Sequence, residues 1–330
     1  MRAAVLYDVD DIRIEERPVP EIGPGELLVQ TQASGICTGD VMAWYVRRKA
    51  PLVLGHEPSG IVAAVGPPTG AGHAHDFKVG DRVFVHHHAP CFECDACARG
   101  DYVQCATWRK SKIEPGGLAE FFRVPRENTG DTLRLPETVP FVDGSLVEPL
   151  ACVMKSLRRS GVRKGDRLYV IGLGVMGLMH AFAAQSLGAL VAGSDLLEAR
   201  RAFAQKAGIE TVAPDTGFTG ADVVICGPGS PQALRDAFAA VNAGGTVVMF
   251  TPLEPGTPLT LDANDLYFRD VNLVTSYSCG PEDTKAALSL IAQGIITAAR
   301  LGATLFSLHE VPRAYTALRN SQILKPIVTF

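Results

Sequence analysis

The sequence predicts two fold classes in one chain: an irregular β domain, followed by alternating α and β elements that build a doubly wound parallel sheet. Three observations carry this. Short apolar runs broken by Gly- and Pro-rich turns occupy the first 125 residues. From about Glu148, apolar strands alternate with amphipathic helices. A glycine-rich turn then separates one strand from the helix that follows it.

The early strands are expected at Ala3–Tyr7, Glu26–Ala33, Gly60–Val65, Asp81–His86 and Ala119–Val124, separated by PVPEIGPGE, GPPTGAG and EPGG. In the second region, Leu168–Ile171 precedes a helix near 175–187, and Leu190–Ser194 precedes one near 197–207. Val223–Cys226, a helix near 231–242 and Thr246–Phe250 continue the alternation, which is the pattern of βαβ units. The tail reads as a helix at Pro281–Gln293, a strand in TLFSL, a helix near Val311–Arg319 and a strand in PIVTF.

Composition excludes several functions. Lys and Arg number 31 against 35 Asp and Glu, a net charge of −4, which gives no general attraction to nucleic acid or an anionic membrane. The N-terminus MRAAVLYDVD lacks a basic segment followed by a long apolar stretch, so a cytoplasmic location is expected. Leu168–Ser194 carries no Asp, Glu, Lys or Arg and is long enough to span a bilayer. Its five glycines instead suit two buried strands flanking a sheet-packed helix.

Cys91, Cys94, Cys97 and Cys105 are spaced C-x2-C-x2-C-x7-C. Thiolates on so tight a loop can converge on one tetrahedral Zn²⁺, giving a closed structural site. A disulfide framework belongs to small secreted domains, and an iron–sulfur cluster is the other metal reading. A second set is more dispersed: Cys37 in GICTGD, His56 and Glu57 in LGHE, and Glu148 in EPLAC. Cys, His and carboxylate ligands suit a catalytic zinc with one open position, and Asp40 could hold the ring of His56.

GLGVMG supplies Gly172, Gly174 and Gly177 between a strand and a helix, and the next strand ends at Asp195, 18 residues past Gly177. This is the context a dinucleotide-binding turn requires: the glycines allow a tight turn and close backbone approach, and the helix start faces the pyrophosphate. The candidate dinucleotide set is Gly172, Gly174, Val175, Met176, Gly177, Asp195, Arg200 and Gly227. Asp195 would accept bonds from ribose hydroxyls and repel a 2′-phosphate, favouring NAD, while Arg200 and Arg201 keep NADP open.

In this order, GICTGD, GHE, GDRV, the four-cysteine run, EPLAC and GLGVMG make the chain resemble the zinc-dependent medium-chain dehydrogenase/reductase (alcohol dehydrogenase) superfamily. The resemblance extends to the final KPIVTF and is strongest toward the sorbitol and threonine dehydrogenase branch. It implies a GroES-like catalytic domain (1–150 and 279–330, with the structural zinc lobe at 86–110) interrupted by a Rossmann NAD-binding domain at 151–278. It also implies that Cys37, His56 and either Glu57 or Glu148 hold a catalytic zinc, so that each chain carries two zinc ions. Where relatives carry a Ser or Thr and a His that pass a proton outward, this chain has Gly39 and Met42. Either Thr38 takes that role, or zinc-bound water and a glutamate share it.

The implied activity is hydride transfer between a secondary alcohol, polyol or sugar-like, and NAD, in a homodimer or homotetramer. The alternatives are a simple alcohol or aldehyde reductase using NADPH, and a non-catalytic NAD-binding protein with structural zinc alone. Other features read as structural. His86, His87 and His88 are expected on opposite faces of a strand end, and His73 and His75 in a solvated turn. Arg47, Arg48 and Lys49 read as a solvated loop, with attraction of an anionic substrate as the rival reading. Trp44 and Tyr45 suit either a pocket wall or the core, and Cys152, Cys226 and Cys279 read as buried thiols.

Overall fold

A computed structural model describes residues 1–69, 75–214 and 216–330. The chain forms two compact units, Met1–Ala151 with Cys279–Phe330, and Cys152–Ser278.

The first unit is built on a seven-stranded sheet. Along it lie Ala303–Ser307, Lys325–Thr329, Leu27–Gly35, Glu57–Val65, Arg82–Val85 and Thr132–Arg134, with Phe121–Val124 also paired to Leu27–Gly35. Leu27, Val29, Thr31 and Ala33 alternate inward along their strand, the period-two pattern of a half-buried sheet. Leu27 and Val29 meet Val62, Val83, Phe122 and Val124 in one core cluster. Asp11–Glu16, a strand the sequence reading lacked, joins Arg2–Asp8 and Leu52–Val53 in a separate three-stranded sheet.

The tail belongs to this unit through register. Lys325–Thr329 runs antiparallel to Leu27–Gly35, with Ile327 opposite Gly35, and Gly35 is in turn opposite Glu57. Residues more than 250 positions apart in sequence therefore meet at one strand end.

The second unit carries six parallel strands in the order Glu210–Thr211, Leu190–Ser194, Arg167–Ile171, Ala221–Cys226, Val241–Met249 and Asn272–Thr275. Numbered by appearance, that order is 3-2-1-4-5-6, the doubly wound Rossmann arrangement. Leu168, Tyr169 and Val170, at the centre of Arg167–Ile171, are buried without alternation because both faces of such a sheet are covered. The uncharged Leu168–Ser194 stretch resolves into that strand, the helix Val175–Ser186 and the strand Leu190–Ser194. Among the described residues, no helix is long and apolar enough to cross a membrane.

Several elements escaped the sequence reading. Helix Val147–Ser160 carries Glu148 in its first turn, and helix Ala263–Phe268 and strand Asn272–Thr275 complete the far sheet edge. The strand predicted at Asp81–His86 stops at Val85.

Candidate metal centre and dinucleotide site

Cys37 lies just beyond the Leu27–Gly35 strand and caps a single helical turn, Thr38–Val41, whose Gly39 N–H donates to Cys37 Sγ at 3.3 Å. A donor aimed at sulfur favours the thiolate, the form that binds a metal. His56 and Glu57 enter at the start of Glu57–Val65. Ligand atoms of Cys37, His56 and Glu57 all lie within 4.8 Å of one another. His56 turns Nδ1 toward Asp40 Oδ2 at 3.6 Å, and the Tyr315 hydroxyl donates to that same oxygen at 3.4 Å. An outer carboxylate beside an imidazole is the arrangement that can orient a histidine toward a metal.

Glu57 is fully buried. Its Oε2 accepts from the Lys325 ammonium, which also donates to the Ile36 carbonyl at 3.1 Å. Oε1 is buried with no hydrogen-bond partner among the described residues. A Cβ at Gly35 would lie 1.9 Å from Glu57 Oε2, so only glycine leaves room for this carboxylate. Lys325 and Tyr315 were not identified from sequence, and a buried lysine in KPIVTF carries no local sign of its partner.

Charge at the centre asks for a cation. Burial pushes the Cys37 thiol up, against the pull of His56. Burial also disfavours a charge on His56, but Asp40, Cys37 and Glu148 outweigh it and raise that pKa well above the ordinary value. Burial raises Glu148 as well. A thiol, an imidazole and a carboxylate with an orphaned oxygen are a donor set that fits zinc.

The two glutamates are divided. Glu57 groups with Cys37 and His56, whereas Glu148 groups with His86 and His87. Thr38 is solvent-exposed, and Gly39 and Met42 supply no hydroxyl or imidazole.

The histidine triplet departs from its expected arrangement. The three rings run side by side, with centroids 5.3 Å apart between His86 and His87 and 4.2 Å between His87 and His88. His87 also lies 5.0 Å from the His56 ring. The strand has ended at Val85, so no pleat sends them to alternate faces. His75 is half-buried, 5.6 Å from the Phe77 ring, rather than solvated, and His73 lies outside the described residues. Cys226 and Cys279 are buried, but Cys152 is only half-buried. Arg47 pairs with Asp8 at 2.9 Å, Lys49 sits over the Tyr45 ring at 3.7 Å, and all three basic residues are exposed. Trp44 and Tyr45 are half-buried and meet edge to face at 5.7 Å.

The four-cysteine run closes on itself. Cys94 to Cys97 and Cys91 to Cys105 are 3.6 Å apart between sulfurs, and Cys91 to Cys97 is 3.9 Å. Thiolates about 2.3 Å from one zinc at the tetrahedral angle lie roughly 3.8 Å apart, so the four sulfurs already frame an ion. Trp108 and Val103 cover them with an apolar lid.

In the second unit the glycine turn leaves Arg167–Ile171 at the switch point of the sheet, where strand order reverses. Gly172 has φ +91° and packs against Pro228, while Gly227 N–H donates to the Ile171 carbonyl at 2.9 Å. Gly174 caps helix Val175–Ser186, so the amides of Val175 and Met176 open its first turn. A Cβ at Gly177 would stand 1.9 Å from the Gly172 carbonyl oxygen, which fixes glycine there. Asp195 Oδ2 accepts from Leu173 N–H at 2.8 Å and Oδ1 from Leu197 N–H at 2.9 Å. A carboxylate offers about four acceptor positions; the two amides and Arg200 Nη1 on Oδ2 use three and leave one for a ribose hydroxyl. The arginines are not merely solvated: Arg201 bonds the Asp195 carbonyl at 2.6 Å, and Arg200 reaches Asp195 Oδ2 at 3.5 Å.

A metal-ligand set on a GroES-like β unit and a glycine turn on a Rossmann sheet together define a nicotinamide-linked dehydrogenase. Sequence profiles agree: one described as alcohol dehydrogenase GroES-like domain matches residues 23–137, and one described as zinc-binding dehydrogenase matches 175–293. The chain belongs to the zinc-dependent medium-chain dehydrogenase/reductase superfamily and is an oxidoreductase. It is 28% identical to D-xylulose reductase A of Aspergillus niger, across 98% of this chain and 95% of that protein. Among solved structures it is similar to alcohol dehydrogenase TADH from Thermus sp. ATN1, at 26% identity and TM-score 0.86 over 100% of this chain and 99% of that one. A zinc-binding dehydrogenase structure from Sinorhizobium meliloti 1021, bound to NADP, aligns at 28% identity and TM-score 0.87 over 100% and 99% of the two chains.

Proposed function

We propose that this dehydrogenase oxidises a polyol or sugar-like secondary alcohol with NAD, or runs the reverse reduction, at the Cys37–His56–Glu57 centre. The observation that carries the reading is the gathering of these three ligands within 4.8 Å, with a buried Glu57 oxygen lacking any partner among the described residues. When bound, zinc supplies Lewis acidity toward the substrate oxygen and nicotinamide supplies the hydride acceptor. The chain's own residues do the rest. Gly39 N–H donates to Cys37 Sγ and offsets part of the burial that favours its thiol. Asp40, itself held by the Tyr315 hydroxyl, stands against the His56 ring, and Lys325 pairs with one oxygen of Glu57. Thr38, exposed beside Gly39, is the hydroxyl that passes the substrate proton to water.

The substrate class rests on the kinship with D-xylulose reductase. The cofactor reading rests on Asp195, whose carboxylate lies beside the glycine turn and would repel a 2′-phosphate. The NADP carried by the Sinorhizobium relative, together with Arg200 near the same turn, supports NADP as the second reading. The proposal includes two zinc ions, one in the four-cysteine lobe and one at the centre, and a cytoplasmic homodimer or homotetramer.

The test is nicotinamide absorbance with zinc-loaded protein, NAD(H) or NADP(H), D-xylulose and a panel of polyols, threonine and simple alcohols. Turnover of a polyol or of D-xylulose with NAD(H), abolished by Cys37→Ser, is the expected result. Turnover confined to simple alcohols, or activity that survives Cys37→Ser after zinc loss, would overturn the reading.

A further inference from the structure

The three rings of the His86–His88 run are held differently. His86 is fully buried, with Nδ1 2.6 Å from Asp131 Oδ2 and Nε2 3.5 Å from Cys279 Sγ. His88 Nδ1 meets the Ser111 carbonyl, and its ring lies 4.4 Å from the ring of Trp108. His87 differs from both. Its Nδ1 is buried with no hydrogen-bond partner among the described residues. An imidazole nitrogen shut away from water and left unpaired is unfavourable, so it asks for a ligand that completes it.

Two neighbours say what that ligand is. The His87 ring lies 5.0 Å from the ring of His56, a member of the Cys37–His56–Glu57 centre. A nitrogen of His87, a nitrogen of His86 and a carboxylate oxygen of Glu148 lie within 4.8 Å of one another. With both nitrogens engaged, His86 has nothing left to offer a guest, so this trio is a poor cage for an ion. Two hydrogen bonds of about 2.8 Å that meet at one hydroxyl oxygen span roughly 4.6 Å. A hydroxyl group therefore fits between the His87 imidazole and the Glu148 carboxylate. It can donate to one and accept from the other, because a neutral imidazole carries one donor and one acceptor.

We propose that His87 is a substrate-binding residue that, with Glu148, holds the hydroxyl on the carbon next to the reacting one, so that the chain selects vicinal diols. The inference rests on the reading of Cys37, His56 and Glu57 as the reaction centre, and adds the residue that recognises the second hydroxyl. The 5.0 Å between the His87 and His56 rings suits neighbouring hydroxyls of a polyol rather than distant ones. The His88 ring, 4.2 Å from that of His87 and anchored on Ser111 and Trp108, keeps the imidazole in place before substrate arrives. A site built to hydrogen-bond a hydroxyl discriminates against an analogue lacking it, because its polar atoms are then left unpaired.

The experiment compares propylene glycol with isopropanol, a pair that differs by the neighbouring hydroxyl alone. Histidine nitrogen NMR spectra are recorded on the zinc-loaded wild type with the reduced nicotinamide cofactor present, so that no turnover occurs. Propylene glycol should shift the His87 signals, assigned by their loss in His87→Gln, and isopropanol should not. Wild-type spectra in which no histidine responds to propylene glycol overturn the proposal without any variant. In kinetics, the ratio of kcat/KM for propylene glycol over isopropanol should fall about tenfold or more in His87→Phe. His87→Gln, which keeps a hydrogen-bonding side chain, should recover part of that ratio. An unchanged ratio in His87→Phe overturns the proposal. Failure of the underlying reading looks different: turnover then survives Cys37→Ser, whereas a failure confined to His87 leaves turnover dependent on Cys37 and the ratio intact.

Discussion

Lys325→Met isolates the charge balance at the centre. The Lys325 and Glu57 side chains are 2% and 1% exposed, so the change leaves a carboxylate in the interior with neither oxygen paired. Removing one partner of a buried ion pair costs roughly 3–5 kcal/mol. With a urea slope of about 2–3 kcal/mol per molar, the metal-free unfolding midpoint should fall by roughly 1–2 M. Both tryptophans, Trp44 and Trp108, lie in the first unit, so their fluorescence follows the unit that holds the pair. Zinc offers Glu57 a replacement cation and no longer competes with the ammonium. By linkage, saturating zinc should stabilise the variant more than the wild type and shrink the deficit. Glu57→Gln in the Lys325→Met background should also recover stability, because no charge is then left unpaired. A metal-free midpoint equal to wild type, or a deficit of the same size in zinc and in chelator, would refute the assignment of Glu57 as both ion-pair partner and zinc ligand.

Three further outcomes are expected. Gly177→Ala drives a Cβ against the Gly172 carbonyl oxygen, 1.9 Å away. It should destabilise the second unit by roughly 1–3 kcal/mol and weaken dinucleotide binding at least about tenfold in calorimetry; unchanged affinity would place the pyrophosphate elsewhere. Cys97→Ser should cost one zinc per chain and expose Trp108, read as a red-shifted fluorescence component, since Trp108 packs on the cysteine cluster. His180 is buried between Ser156 Oγ at 2.5 Å and the Met176 carbonyl at 2.7 Å, and burial lowers its pKa to about 4. Above about pH 6.5 both folded and unfolded states hold it neutral, and as pH falls toward 4 the unfolded chain takes the proton first. The second unit should therefore lose roughly 3 kcal/mol across that window. His180→Asn should flatten that part of the pH–stability curve, and a variant curve parallel to wild type would show that His180 is not responsible.

Much of this protein follows from patterns only a few residues long. The C-x2-C-x2-C-x7-C spacing places four thiols on one loop whatever the rest of the chain does, and the local fold brings them to metal-ligand distances. GLGVMG between an apolar strand and an apolar helix fixes a tight glycine turn, because Gly172 and Gly177 satisfy constraints within six residues of each other. Cys37, His56 and Glu57 were legible as candidates by residue type. That Asp40 stands against His56, and not merely near it in sequence, took the fold to show.

Other features were decided by strand register and long-range packing. Lys325 reaches Glu57 across 268 residues because Gly35 pairs with both Ile327 and Glu57, a coincidence of two strand registers that no window of sequence displays. The division of Glu57 from Glu148, left open by sequence, depends on which strand end and which helix turn each occupies. The histidine triplet escapes the period-two pattern because the strand stops at Val85, one residue before it. His86 then found Asp131 and Cys279, 45 and 193 residues away, through packing alone. Local chemistry in the sequence sets which ions and cofactors this chain can hold. Tertiary structure decides which oxygen, sulfur and nitrogen atoms share a cavity, because burial and charge act over distance in space and not along the chain.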